Sequence, residues 1–74
     1  MREITTGVYR HFKGKMYYVV CIATHTETNE QMVVYQALYG SHEYFVRPYA
    51  MFASEVDREK YPHADQVYRF ERMA

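Results

Sequence analysis

The segment Gly7-Val8-Tyr9-Arg10-His11-Phe12-Lys13-Gly14-Lys15-Met16-Tyr17-Tyr18-Val19-Val20 constrains the fold of this chain more than any other. Aromatic and β-branched residues, which suit a pleated and half-buried surface, fill both arms. Between the arms lies Lys13-Gly14-Lys15, where a glycine takes a positive φ at little cost, so the segment reads as a β-hairpin. Its arms also carry Tyr9, His11 and Tyr17, polar aromatic groups that serve a site as readily as a core.

The same alternation continues down the chain. Val8–Phe12 reads as a first strand, with Gly7, Tyr9 and His11 on one face and Val8, Arg10 and Phe12 on the other. A second strand runs from about Lys15 to His25. Both of its faces, Met16/Tyr18/Val20/Ile22 and Tyr17/Val19/Cys21/Ala23/His25, are largely apolar. Such a strand is covered on both sides or bent across a small barrel. Thr26–Glu30 is a turn cluster, Gln31–Tyr39 a third strand, and Glu43–Arg47 a fourth, stopped by Pro48. Pro48 suits a helix start, so Tyr49–Phe52 reads as one helical turn; a helix extended to Lys60 loses its apolar spacing after Val56. Asp57–Asp65 reads as a polar loop and Gln66–Met73 as a fifth strand. About five short strands joined by tight turns describe an all-β barrel with one helical turn near residues 48–52.

Seventy-four residues form one domain, 1–74, that buries only roughly 60–65% of its unfolded surface. Nine Tyr and four Phe with no Trp are an efficient way to fill so small a core, since each ring buries roughly 150–250 Å². A fold of this size encloses no large pocket, so a site is a groove or shallow cleft, and a homodimer could complete its wall. Nine Lys plus Arg balance nine Asp plus Glu, and a domain gripping nucleic acid through phosphates usually carries a basic excess. Zero net charge lowers that reading unless charge is segregated on one face. The sole cysteine, Cys21, has no internal disulfide partner, and no stretch resembles a signal peptide or membrane span. The expected setting is the cytoplasm, with no membrane partner.

Four motifs in order carry a resemblance. They are Gly7-x-Tyr9-x-His11-Phe12-Lys13-Gly14-x-x-Tyr17-x-Val19, Ala23-x-His25-Thr26-Glu27-Thr28, Val33-Val34-Tyr35-x-Ala37-Leu38-Tyr39 and Phe45-Val46-Arg47-Pro48-x-x-Met51-Phe52. Over residues 7 to 72 the chain resembles an uncharacterised bacterial family, domain of unknown function sixteen fifty-three. The family commonly has a tryptophan where this chain has Phe45, and a shorter loop where it has Asp57–Asp65. The resemblance implies an SH3-like β-barrel and no activity.

The polar groups inside the motifs are Tyr9, His11, Tyr17, His25, Glu27, Tyr35, Tyr39 and Arg47. Tyr9/His11, Tyr17/His25 and Tyr35/Tyr39 would be contiguous across paired strands, as an aromatic groove with His and Arg anchors. The competing reading packs the tyrosines in the core with their hydroxyls bonded to backbone. His25 and Glu27 could exchange a proton, or His25-Thr26-Glu27-Thr28 could simply cap a turn. Arg47 could fork onto a phosphate or carboxylate, or tie the barrel end through Glu43, Glu55 or Glu71. No C-x-x-C, H-x-x-x-H or H-E-x-x-H spacing occurs, which argues against a metal. Cys21, mid-strand between Val20 and Ile22, reads as a buried, inert thiol.

The reading these residues support is a small non-catalytic binding module with no cofactor, offering an aromatic groove to a peptide, a nucleotide or a single-stranded nucleic acid. One alternative is a small acid–base enzyme using His25/Glu27 or His11, with Arg47 holding an anion. Another is a structural or accessory interaction protein recognised by an exposed patch or strand edge.

Overall fold

The computed structural model describes residues 2–73. The chain forms β1 (Gly7–His11), β2 (Met16–Thr24), β3 (Gln31–Ala37), β4 (Tyr44–Pro48), the single helical turn α1 (Tyr49–Phe52) and β5 (Phe70–Arg72). All pairings are antiparallel, and the five strands make one sheet in the order β4-β3-β2-β1-β5. The expected β class, strand count and helical turn are therefore present.

Local chemistry sets each turn. At the β1–β2 tip the His11 N–H donates to Lys15 O at 2.8 Å and the Gly14 N–H to His11 O at 2.7 Å. Gly14 sits at φ +104°, the left-handed residue that closes a three-residue hairpin loop. In the β2–β3 turn that position falls to Asn29 at φ +61°, whose side chain tolerates it. Pro48 at φ −52° leads into α1, where the Ala53 N–H reaches Tyr49 O at 2.9 Å.

The sheet is strongly curled. Tyr35 on β3 and Phe70 on β5 stand three strands apart, about 14 Å in a flat sheet at ordinary spacing. Their ring centroids are 5.6 Å apart. From α1 the chain crosses to the lead-in of β5, where Glu55 bridges Tyr68 and the Val56 N–H donates to Val67 O at 2.9 Å. Inside the curl lie Ile4, Tyr9, Val19, Val33, Tyr35, Phe52, Ala53 and Phe70.

Three expectations are corrected. The fifth strand is Phe70–Arg72, far shorter than Gln66–Met73. Upstream of it, the Glu71 carboxylate accepts the N–H groups of Val67 and Tyr68 at 3.1 and 3.3 Å, so a side chain takes backbone donors that a strand would pair. β2 is not covered on both sides: Val19 is buried while Tyr18, Val20 and Cys21 are exposed. The cause is a break in register between Val19 and Cys21, which swaps the face of every later residue. It turns Ile22 toward the core with Tyr17 and leaves the Cys21 thiol exposed rather than buried. β3 ends at Ala37 rather than Tyr39, so Tyr39 belongs to the following loop.

The turn geometry yields a direct expectation. Gly14→Ala has open space for its Cβ but must hold a positive φ, so urea unfolding should show a loss of about 1 kcal/mol. An unchanged midpoint would mean that the hairpin tip takes a different loop.

Candidate functional site

The pairing register places His11, Tyr17, Tyr35, Phe45 and Arg47 on the concave side of the sheet. Tyr9 faces Tyr17, Val19 faces Tyr35, and Tyr35 and Val33 face Phe45 and Arg47, and cross-strand partners share a face. The rings meet edge to face: Tyr17–Tyr35 and Tyr17–Tyr39 are each 5.5 Å apart, and His11–Phe70 is 4.9 Å. Tyr35 lies deep, with Tyr39 and Phe45 opening to solvent at the margin. The result is a shallow rim of rings at the mouth of the curled sheet.

The polar tips divide into two kinds. Tyr9 is 1% exposed, and its hydroxyl donates to Thr5 O at 2.9 Å and accepts the Thr5 N–H at 3.0 Å. It is a core residue that pins the N-terminal segment, not part of the rim. Arg47 Nε donates to the Tyr35 hydroxyl at 3.2 Å, and the guanidinium carbon lies 5.8 Å from the Phe70 centroid. Among the described residues Arg47 pairs with none of Glu43, Glu55 or Glu71. At the rim itself, the Tyr17 and Tyr39 hydroxyls bond each other at 2.7 Å, and Lys15 Nζ stands 4.7 Å over the Tyr39 ring. Burial, and then the Tyr39 hydrogen bond, push the Tyr17 phenol well above its ordinary value.

His11 is half-buried and lies within the field of three cations. Its Nδ1 accepts the Lys13 backbone N–H at 3.1 Å, so the neutral ring carries its proton on Nε2. Burial first, then the charges of Arg47, Arg69 and Lys13, pull its pKa from 6.5 to about 4.

His25 and Glu27 lie elsewhere. His25 is exposed, and its Nδ1 accepts the Glu27 backbone N–H at 3.2 Å, which is the turn-capping arrangement. His11 stands beyond the opposite end of the nine-residue β2, a span of about 30 Å. The structure thus gathers His11, Tyr17, Tyr35, Tyr39 and Arg47 and leaves out Tyr9, His25 and Glu27. Among the described residues no group of three or more His, Cys, Asp or Glu could hold a metal ion. No helix there is long and apolar enough to cross a membrane.

Sequence reasoning missed a second feature. A cleft of about 240 Å³ lies where the hairpin tip meets the loop after α1, lined by His11, Phe12, Lys13, Asp57, Lys60, Tyr61 and Arg69. The only hint in the chain is Lys60-Tyr61-Pro62, a cation and a ring inside an otherwise polar loop.

Comparison with known proteins adds a family and no activity. The model of a family described as a protein of unknown function, DUF1653, matches residues 7–72. The crystal structure of a protein belonging to DUF1653 from Bordetella bronchiseptica is similar, with a TM-score of 0.82 at 32% identity. The match covers 100% of this chain and 92% of that one. Among curated proteins there is no match.

The effect of burial and neighbouring charge on His11 can be measured. Its folded pKa lies below the unfolded 6.5, so its stabilising contribution is complete above that pH and lost as pH falls toward about 4. NMR titration should place its midpoint near 4, and His11→Gln should flatten the fall in unfolding free energy between pH 6.5 and 4. The difference should be on the order of 1 kcal/mol, because solvent screens a half-buried ring. A midpoint near 6.5 would contradict the packing described.

Proposed function

The chain belongs to the DUF1653 family, which has no assigned activity, and we propose that it is a small non-catalytic binding module whose ring-lined rim stacks the bases of a short single-stranded nucleic acid. The observation that carries this reading is the exposed edge formed by Tyr39 and Phe45 beside half-buried Tyr17, with Lys15 and Arg47 among the rings. Stacking on aromatic side chains tolerates any base, and adjacent cations suit the phosphodiester chain better than they suit an average peptide. Arg47 is held by Tyr35 and Phe70 and has no carboxylate partner among the described residues, so its charge is available to a ligand. The acid–base alternative finds less support, since His25 and Glu27 meet only through a backbone amide.

A second reading has its own observation. β4 is an edge strand whose outward Tyr44 and Val46 are 65% and 62% exposed, which is the kind of surface that recruits a protein partner. It corresponds to the accessory-protein alternative.

An amide NMR titration with short RNA and DNA strands at two salt concentrations separates the two. Base stacking at the rim should shift Tyr17, Tyr39, Phe45 and Arg47, with affinity falling as salt rises. Tyr39→Ala should weaken binding by about 1–3 kcal/mol while leaving the urea midpoint nearly unchanged. Silence across the strands, or equal binding by Tyr39→Ala, would remove the nucleic-acid reading and leave the β4 edge as the surface to probe.

A further inference from the structure

We infer that the cleft between the β1–β2 hairpin tip and the loop after α1 is a second binding site, which takes a phosphomonoester group attached to a planar ring, as in a nucleoside monophosphate. This goes beyond the rim reading, because the two surfaces share only His11 and the cleft stands on its own observations.

Charge comes first. Lys13, Lys60 and Arg69 line the cleft from three separate segments, against one carboxylate, Asp57. That carboxylate is already engaged, its Oδ1 accepting the backbone N–H groups of Glu59 and Lys60 at 3.0 and 3.4 Å. Among the described residues none of the three cations has a carboxylate partner; the ion pair found there is Arg10–Asp65 at 4.0 Å. A chain of zero net charge therefore concentrates unpaired positive charge in one concave place. The pKa of His11 in the cleft wall is depressed mainly by burial and then by Arg47, with Arg69 and Lys13 adding smaller contributions from the cleft. Tyr61 reports the cleft cations too: hydrogen bonding by Lys13, then the charges of Lys13 and Lys60, lower its phenol pKa.

A second, independent feature is an unmet donor. Arg69 Nε is buried and has no hydrogen-bond partner among the described residues, although its backbone is tied on both sides, with its N–H donating to Ser54 O at 2.9 Å and its carbonyl accepting the Phe12 N–H at 3.0 Å. A buried guanidinium N–H without an acceptor is costly, and because Arg69 lines the cleft, an oxyanion bound there would supply one once the side chain turns to meet it. Three donor groups from three directions fit a tetrahedral dianion better than a planar carboxylate, which a single arginine fork would satisfy.

The ring has a place as well. Beside the cleft, and sharing Phe12, Lys13, Lys60 and Tyr61 with it, lies a mainly apolar hollow of about 380 Å³ that extends over Pro62 and Ala64. Its wall is firm: Phe12 and Tyr61 pack edge to face at 4.9 Å, and Arg58 fastens the loop by donating to the carbonyls of Ala64 and Gln66. Phosphate in the cleft would set a nucleobase or similar ring against this hollow.

Titration of the full chain with adenosine 5′-monophosphate, adenosine, inorganic phosphate and a 5′-phosphorylated dinucleotide, followed by amide NMR at low salt, tests the site. The monophosphate should shift Phe12, Lys13, Lys60, Tyr61, Ala64 and Arg69 and bind at least tenfold more tightly than adenosine. Inorganic phosphate should move the Lys13, Lys60 and Arg69 signals alone. A dinucleotide binding more tightly than the monophosphate at these same residues also supports the site and makes a strand end its source. Lys60→Gln, at an exposed position, should weaken the monophosphate about tenfold, whereas Tyr39→Ala should leave its affinity within about twofold. Equal binding of adenosine and its monophosphate overturns the proposal. So do monophosphate shifts confined to Tyr17, Tyr39 and Phe45, which would leave the rim reading standing, or an unaffected Lys60→Gln.

Discussion

The face-to-face stack of Phe52 on Phe70, with centroids 4.0 Å apart and planes within 8°, is the contact on which the rest of the molecule depends. Phe70 opens β5 and Phe52 closes α1, so the stack joins two parts of the chain that a flat sheet would leave apart. Around it Tyr9, Tyr35, Tyr17 and His11 present their rings edge-on to one or other phenylalanine, the geometry that ring quadrupoles favour. A chain this short has too few aliphatic residues to close a sheet by bulk alone. Curvature here is an aromatic property, and it sets where every other ring points.

Filling a core with tyrosines leaves hydroxyls that need partners, and those partners sort structural rings from candidate functional ones. Tyr9 satisfies its hydroxyl on the Thr5 backbone, Tyr49 accepts the Ile4 N–H at 2.6 Å, and Tyr35 accepts from Arg47. These three spend their polarity in holding the N-terminal segment and the β4 guanidinium in place. Among the described residues the Tyr17 and Tyr39 hydroxyls have only each other, at the solvent margin. A hydroxyl pair that another donor or acceptor can break open is a better place for a ligand than one tied into the backbone.

How much of this was legible in the residues depended on whether the signal was local. Glycine at position 14, proline at 48 and the alternation of Val33/Tyr35/Ala37 act over one or two residues, and the hairpin, the end of β4 and the inward face of β3 followed from them. The break at Val19/Cys21 was invisible, because a run apolar on both faces gives no phase against which to detect a slip. It reversed the expected burial of Cys21 and Ile22 together. The length of β5 was lost for a different reason: Glu71 takes backbone donors three and four residues upstream, a competition that propensity does not register. Of the candidate residues, Tyr17, Tyr35 and Arg47 come together because they share strand faces, and Tyr39 joins them from the loop after β3. The grouping with His25 failed, since the bulge and the turn carry it out of the row.

Composition was least informative about charge. Nine positive and nine negative side chains sum to zero, a value that argues against anion binding only if the two signs are mixed. Here mixing is prevented by local geometry. Glu71 and Asp57 turn their oxygens to backbone N–H groups, and Arg58 and Arg10 are spent on carbonyl oxygens and on Gln66 and Asp65. Lys13 and Lys60, on two separate loops, line one cleft with Arg69, and none of the three has a carboxylate partner among the described residues. His11, adjacent to both the rings and the cations, is held neutral first by burial and then by the charges of Arg47, Arg69 and Lys13, and protonation would also cost the Nδ1 hydrogen bond at the hairpin tip. A net charge cannot register this, because it counts Asp57 and Glu71 as free carboxylates although backbone N–H groups already occupy their oxygens.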